Sequence, residues 1–336
     1  MIHRVCLVGL GRMGGFHLKA LIESERFRVV AVVDPAKAGS HVPGKEALVV
    51  SGSLDEVDHN SYDVAIVAAA TEMHYHLVRK LLLLGKGVLV EKPAATTGEE
   101  ARQLMELAAT NGVSLSVGHI ERCNPVVATM DQVLKAGVLG RPLHALGERM
   151  GGYPKAVAGG NQVILDLAIH ELDVFQNLFG DFAISSGKYH CAVKSQTPDF
   201  SELQLAWNNG MFGSVQVSWL SPQKRRALRV TGTQGVAEID YIAQTCHIFG
   251  DGVELDCLGL AVESVEHPFT NCVAVKVPEG QPLQRQLVQW DQMLRGEENS
   301  MCRGEALVNS VERLQTCLQV SNTMMVSSKG EAPALR

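Results

Sequence analysis

Four sets of residues in this chain have types and spacings suited to chemistry. Three glycines, Gly9, Gly11 and Gly14, follow an apolar run in G-x-G-x-x-G spacing. Asp34 closes a second apolar run, VVAVVD, about 20 residues further on. Lys92 stands between Glu91 and Pro93, directly after the apolar run GVLV. Asp166 and His170 lie four apart in a segment with helical patterning.

The glycine loop has a specific physical use. The first glycine permits a tight turn, the second lets the backbone approach a pyrophosphate, and the third allows close packing of helix on strand. The following helix N-terminus offers N–H donors and a partial positive charge to phosphate. An acid at the end of the second strand holds ribose hydroxyls. Asp34 would repel a 2′-phosphate, so NAD is favoured over NADP. The bland alternative is a structural βα turn with a capping aspartate. Arg12 and Met13 lie inside the loop, where Arg12 faces either phosphate or solvent.

The other two sets are weaker alone. Lys92 ends a strand, at the carboxyl edge where open α/β sheets bind ligands, and Pro93 fixes the backbone there. A single lysine is nevertheless an ordinary surface residue. Asp166 and His170 share one helix face, yet a lone helical histidine is usually structural.

Elements that could position these residues follow from hydrophobic periodicity. Strands are expected at residues 4–10, 27–34, 62–70, 87–93 and 113–119, with helices at 14–24, 74–85 and 98–112. Continuous apolar strands alternating with helices imply a parallel sheet covered on both faces. From residue 144 the pattern changes to partly alternating strands at 144–150, 187–194, 202–207, 213–219, 226–232, 235–241 and 245–249. These are joined by turns such as WNNGMF and suggest an antiparallel sheet. One helix, residues 163–180, is embedded early in this half, and two more are expected at 282–296 and 304–324. The fold class is α/β, with a nucleotide-binding domain at 1–120 and a second domain at 121–336 whose last helix can pack back on the first.

Composition limits the function classes. The 336 residues carry a net charge of −6, which argues against nucleic-acid or anionic-membrane surfaces. The only dense basic run is 224–226. Eight cysteines are scattered without a C-x-x-C pair, so no metal site is expected. The opening residues carry no signal-peptide pattern and no stretch has membrane-spanning length, which points to a reducing, cytoplasmic compartment.

Taken together, the motifs resemble those of the glucose–fructose oxidoreductase/inositol dehydrogenase (Gfo/Idh/MocA) family over nearly the whole chain. They are GLGRMG (9–14), Asp34, AAATEMH (68–74), EKP (91–93), GHIERCNP (118–125), DLAIH (166–170) and the strands of 226–240. The resemblance implies a Rossmann domain followed by an α+β domain with a large, mostly antiparallel sheet. One face of that sheet would make a homodimer or homotetramer. It implies hydride transfer between NAD and a secondary alcohol of a sugar or polyol.

The same resemblance assigns roles. Lys92, Asp166 and His170 become catalytic: Lys92 lowers the alcohol's pKa, His170 is the general base, and Asp166 binds a hydroxyl or orients the pair. Gly9, Gly11, Arg12, Met13, Gly14, Asp34, Ala69, Thr71, His74, Glu91 and Lys92 would contact the cofactor. GHIERCNP is similar to a stretch of UDP-N-acetylglucosamine 3-dehydrogenase-like members, which would put His119, Arg122, Asn124, Arg149 and Tyr153 at a nucleotide-sugar. A guanidinium suits phosphate or carboxylate, although Arg122 also fits an interdomain ion pair. Cys123 and the GGYP stretch (151–154) depart from the family pattern, and these departures bear on substrate rather than hydride transfer. The alternatives are a free sugar or polyol dehydrogenase and a non-catalytic NAD-binding regulator.

Overall fold

A computed structural model describes residues 2–154, 162–193, 197–250, 259–268 and 270–322. The chain divides into two units. One comprises Met1–Cys123 and Gly280–Glu312, and the other Asn124–Glu279 with the chain from Arg313 onward.

The first unit alternates strand and helix: β1 (His3–Val8), α1 (Arg12–Ile22), β2 (Phe27–Val33), a small hairpin β3 (His41–Val42) and β4 (Lys45–Val49), β5 (Val64–Val67), α2 (Thr71–Leu83), β6 (Gly87–Val90), α3 (Gly98–Thr110) and β7 (Leu115–Val117). The sheet order is β2-β1-β5-β6-β7 with every neighbour parallel. Side chains on a strand point alternately to opposite faces. Cys6, Val8, Ala65, Val67, Val88 and Val90 therefore enter one core, with α2 and α3. Val5, Leu7, Val64, Ile66 and Leu89 enter another, with α1. This is a doubly wound sheet, and its direction reverses between β1 and β5. Crevices at such switch points bind ligands.

The second unit opens with α4 (Pro125–Lys135) and β8 (Pro142–Met150). A π-helical turn, Ile164–Ala168, then runs into α5 (Ile169–Phe179). Its remaining strands are β9 (Ala183–His190), β10 (Phe200–Ala206), β11 (Phe212–Ser218), β12 (Arg225–Gly232), β13 (Val236–Asp240), β14 (Thr245–Phe249), β15 (Val262–Val265) and β16 (Cys272–Val275). They form a nine-stranded sheet in the order β15-β16-β14-β13-β12-β8-β11-β10-β9. Among the described strands of this sheet, only β8 and β11 pair in parallel.

Two helices close the described chain: α6 (Pro282–Leu294), in the first unit, and α7 (Glu305–Asn322), which is divided between the two. In the first unit Trp290 of α6 stacks on Phe27, ring centroids 4.9 Å apart. In the second unit, α4, α5 and the end of α7 bury Met130, Phe175 and Leu314 against inward residues such as Val215, Val217, Leu228 and Val230.

The doubly wound sheet and the large antiparallel sheet match expectation. The local differences have physical causes. Helix α4 was not expected; Asn124 caps it, accepting from the Val126 N–H at 3.3 Å, and Pro125 starts its first turn. The hairpin β3–β4 and the short strands β15 and β16 were also missed. The expected helix 163–180 begins as a π turn rather than an α-helix. The strand expected to run to residue 194 ends at His190, where Asp199 accepts from the N–H groups of Ala192 and Val193. Residue 194, Cys257 and the end of the last expected helix lie outside the described residues.

Candidate active site

The glycine loop joins β1 to α1 as its chemistry requires. Gly9 has φ +94°, and a Cβ there would lie 2.5 Å from the Ala68 carbonyl oxygen. A Cβ on Gly14 would lie 2.0 Å from the Gly9 oxygen. These two glycines are thus demanded by the protein's own backbone. Gly11 differs: a Cβ there meets nothing within 4 Å. Its smallness is not needed for packing, and it leaves space beside the helix N-terminus. Gly11 is also the N-cap of α1, with no side-chain capping bond and no acid in the first turn. The loop fits a pyrophosphate, because unscreened N–H donors and open space coincide.

Asp34 is tied to this loop. Its Oδ2 accepts from the Leu10 N–H at 2.7 Å and its Oδ1 from the Ala36 N–H at 2.9 Å. Each carboxylate oxygen retains a second acceptor site, so the side chain can still receive ribose hydroxyls. Lys37 donates to the Leu10 carbonyl at 2.5 Å. Arg12 is exposed and Met13 half-buried at the start of α1.

The EKP stretch sits at the carboxyl end of β6. The Glu91 carboxylate is buried and accepts from His17 Nε2 at 2.7 Å and from the Lys92 backbone N–H at 3.2 Å. Burial alone would push this carboxyl up. The His17 hydrogen bond and charge, with the Lys92 charge, outweigh that and hold it below the ordinary range. Gly118 leaves room for it, since a Cβ there would stand 3.3 Å from Glu91 Oε1.

His74 was expected beside the cofactor. Its ring nitrogens lie 2.7 Å from the Pro93 carbonyl and 3.1 Å from the Ala69 carbonyl. It ties the end of β5 to the end of β6. Thr71 begins α2 just after Ala69. His119 follows β7 and is buried, and Arg122 is buried in the 3₁₀ turn Ile120–Cys123. Thus Gly9, Gly11, Asp34, Ala69, Glu91, Lys92 and His119 all lie at or just beyond carboxyl ends of strands in one sheet, and Gly14 lies in the first turn of α1.

In the second unit Asp166 and His170 are half-buried at the junction of the π turn and α5. The Trp219 indole N–H donates to Asp166 Oδ2 at 3.1 Å. Tyr153 packs edge-on against Trp219, centroids 5.5 Å apart. Burial pushes the Tyr153 hydroxyl up, helped by the charges of Asp199 and Cys191.

Two residues expected at the sugar are engaged inside this unit. Arg149 is 1% exposed, donates from Nε to Glu171 at 2.7 Å, and lies over the Tyr241 ring. Tyr241 donates to the same Glu171 at 3.0 Å. Asn124 caps α4 and donates to the Tyr241 carbonyl at 3.2 Å. Both therefore have partners within the unit: Arg149 is a buried cation paired with a carboxylate, and Asn124 is a buried amide bonded to backbone. Sequence reasoning missed His17, Glu171 and Trp219. Only His17 left a trace, a polar residue on the buried face of α1 three positions after Gly14.

Comparison with known proteins gives four findings. Residues 3–119 match the oxidoreductase family with an NAD-binding Rossmann fold named for GFO, IDH and MocA, and residues 127–238 match its C-terminal domain. The chain is 31% identical to an inositol 2-dehydrogenase of Saccharopolyspora erythraea over 65% of this chain and 67% of that one. It is 25% identical to a UDP-N-acetylglucosamine 3-dehydrogenase of Acidithiobacillus ferrooxidans over 83% of this chain and 88% of that one. A solved structure of such an enzyme from the same organism superposes with a TM-score of 0.78 at 20% identity, over 96% of this chain and 99% of that one.

Proposed function

The chain belongs to the Gfo/Idh/MocA oxidoreductase family, and on that premise we propose that its substrate is a nucleotide-sugar. Membership makes it an NAD-linked oxidoreductase acting on CH–OH groups of a sugar or polyol. The observation that carries the finer reading is the reach of one likeness. Similarity to the UDP-N-acetylglucosamine enzyme extends over 83% of this chain, well into the substrate domain. The inositol enzyme is more identical over a shorter span, which supports a polyol as the second reading.

The residues take the following roles. Bound NAD supplies the hydride acceptor. The glycine loop and the α1 N-terminus hold its pyrophosphate, and Asp34 holds the adenosine ribose. The Lys92 ammonium stabilises negative charge on the alcohol oxygen as its proton leaves. His170 accepts that proton at a ring nitrogen, since imidazole ordinarily titrates near neutrality. Asp166 orients His170 or binds a neighbouring hydroxyl. His119, Arg122 and Tyr153 contact the sugar or its anionic group. Both Lys92 and His170 are present, which weighs against a non-catalytic regulator.

The outer face of the nine-stranded sheet meets a second copy of the chain in this reading. One cross-strand row on it runs through Phe249, Val236, Thr231, His144 and Phe212, and Phe212 is 55% exposed. The buried free thiols Cys6, Cys246 and Cys317, pushed up to about 12 by burial, suit a reducing, cytoplasmic setting. No helix among the described residues is long and apolar enough to cross a membrane.

The test is absorbance at the reduced-nicotinamide band with NAD and a panel of UDP-sugars and inositols. Growth of the band with a UDP-sugar supports the proposal. Growth with an inositol alone moves the substrate to the polyols.

A further inference from the structure

The Asp166 carboxylate is held from outside its own helix. The indole N–H of Trp219 donates to Oδ2 at 3.1 Å, and the two residues come from different kinds of element. Asp166 lies on the π turn Ile164–Ala168, whereas Trp219 directly follows β11. A π turn is a local irregularity, most often a single turn placed at a functional site. A sheet is the stiffer reference.

Trp219 is anchored to that reference. Its backbone N–H donates to the Asp199 carbonyl at 2.8 Å. This extends by one residue the β10–β11 ladder that pairs Phe200 with Ser218. The indole is 2% exposed, and the Tyr153 ring packs against it at 66°. Indole nitrogen only donates, and its one polar group is matched to an accepting oxygen of Asp166. A hydrogen bond to one oxygen restricts how the Asp166 carboxylate can turn.

We infer that Trp219 is a positioning residue for the oxidoreductase reaction, setting the orientation of the Asp166 carboxylate relative to His170 one turn further on. This rests on the reading that Asp166 and His170 act at the reacting alcohol. Misplacing a reacting group by about 1 Å can cost about a hundredfold in rate. A hydrogen bond to a charged group is therefore worth keeping even where overall stability does not need it.

Trp219→Phe keeps a ring and removes the donor. The expected result, with NAD and whichever of UDP-N-acetylglucosamine or inositol the unaltered chain oxidises, is a fall in kcat of roughly tenfold or more. The KM for NAD should be unchanged. A purely structural tryptophan could also lower kcat, so the decisive measurement is a double-mutant cycle with Asp166→Ala. If Trp219 acts through Asp166, Trp219→Phe costs nothing further in the Asp166→Ala background. Additive losses would overturn the inference.

An optical arm needs no substrate. The ultraviolet resonance Raman difference between the unaltered chain and Trp219→Phe isolates one of three tryptophans. A hydrogen-bonded indole band that weakens in Asp166→Ala supports the contact, and an unshifted band refutes it. Failure of the unaltered chain to oxidise any alcohol would sink the function reading and this inference with it. Turnover accompanied by additive losses would sink the inference alone.

Discussion

His17 and Glu91 meet as a buried pair, Nε2 to Oε1 at 2.7 Å, linking the helix after the glycine loop to the residue before Lys92. The pair ties α1 to the carboxyl end of β6, which the candidate catalytic lysine follows. Glu91's other oxygen accepts the Lys92 backbone N–H, so the orientation of the lysine's backbone depends on a histidine 74 residues away.

Breaking this pair should cost stability with a definite pH signature. Removing one partner of a buried pair strands the other, at about 3–5 kcal/mol, so His17→Leu should lower Tm clearly. The Glu91 carboxyl is held below its ordinary value of 4.5. Its contribution is therefore fully present above that pH and lost as pH falls through the folded-state value. Glu91→Gln should flatten this acid limb in denaturation measured from neutral pH downward. Identical acid slopes in the two proteins would show that the pair does not stabilise the fold.

The glycines of the loop should separate by substitution. Gly14→Ala pushes a methyl group to 2.0 Å from the Gly9 oxygen, so it should destabilise the unit and abolish NAD binding together. Gly11→Ala meets no protein atom within 4 Å. It should leave Tm nearly unchanged while weakening NAD by roughly tenfold or more, since the methyl group occupies phosphate space. Calorimetric titration with NAD beside a thermal melt decides. Parallel losses in both variants would mean Gly11 is structural as well.

Asp34→Ala should weaken NAD more than NADP, because a carboxylate placed to receive ribose hydroxyls would also repel a 2′-phosphate. A stability loss of about 1 kcal/mol should accompany it, since the side chain caps the turn Pro35–Lys37. Equal weakening of both dinucleotides would assign Asp34 a structural role only.

What the sequence disclosed was what is local. Continuous apolar strands, Gly9, Gly11, Gly14 and the Asp34 that follows them are written within 30 residues, and the parallel sheet follows from them. Contacts between distant segments were hidden. Trp290 stacks on Phe27 across the first unit's core, and no periodicity announces that a helix from 282 onward belongs to a sheet begun at residue 3. The π turn is hidden for another reason, since its residues have the composition of an ordinary helix. The partner of Arg149, which was expected at the sugar, was hidden as well, because a buried cation and a ligand-binding cation look alike until the partner, here Glu171, is placed.

The role of the Arg149–Glu171 pair is testable. Arg149→Met should lose about 3–5 kcal/mol of stability, because it takes the cation away from the buried Glu171 carboxylate. The double variant Arg149→Met with Glu171→Leu should recover part of it, because replacing both charges removes the unpaired group. Urea denaturation followed by tryptophan fluorescence measures both. A raised substrate KM at unchanged stability would instead return Arg149 to the sugar site.

Lys92→Ala and His170→Ala test the chemistry directly. Each should lower kcat by roughly a hundredfold or more, as removal of an electrostatic or acid–base group does. NAD affinity should survive in His170→Ala, whose site lies in the second unit, whereas the dinucleotide loop lies in the first. The two losses should not multiply in the double variant, because groups that assist one proton departure act as a unit. Added external imidazole should restore part of the His170→Ala activity and none of the Lys92→Ala activity, as a missing general base can be replaced from solution while a fixed cation cannot. Rescue of both by imidazole, or of neither, would reassign the base.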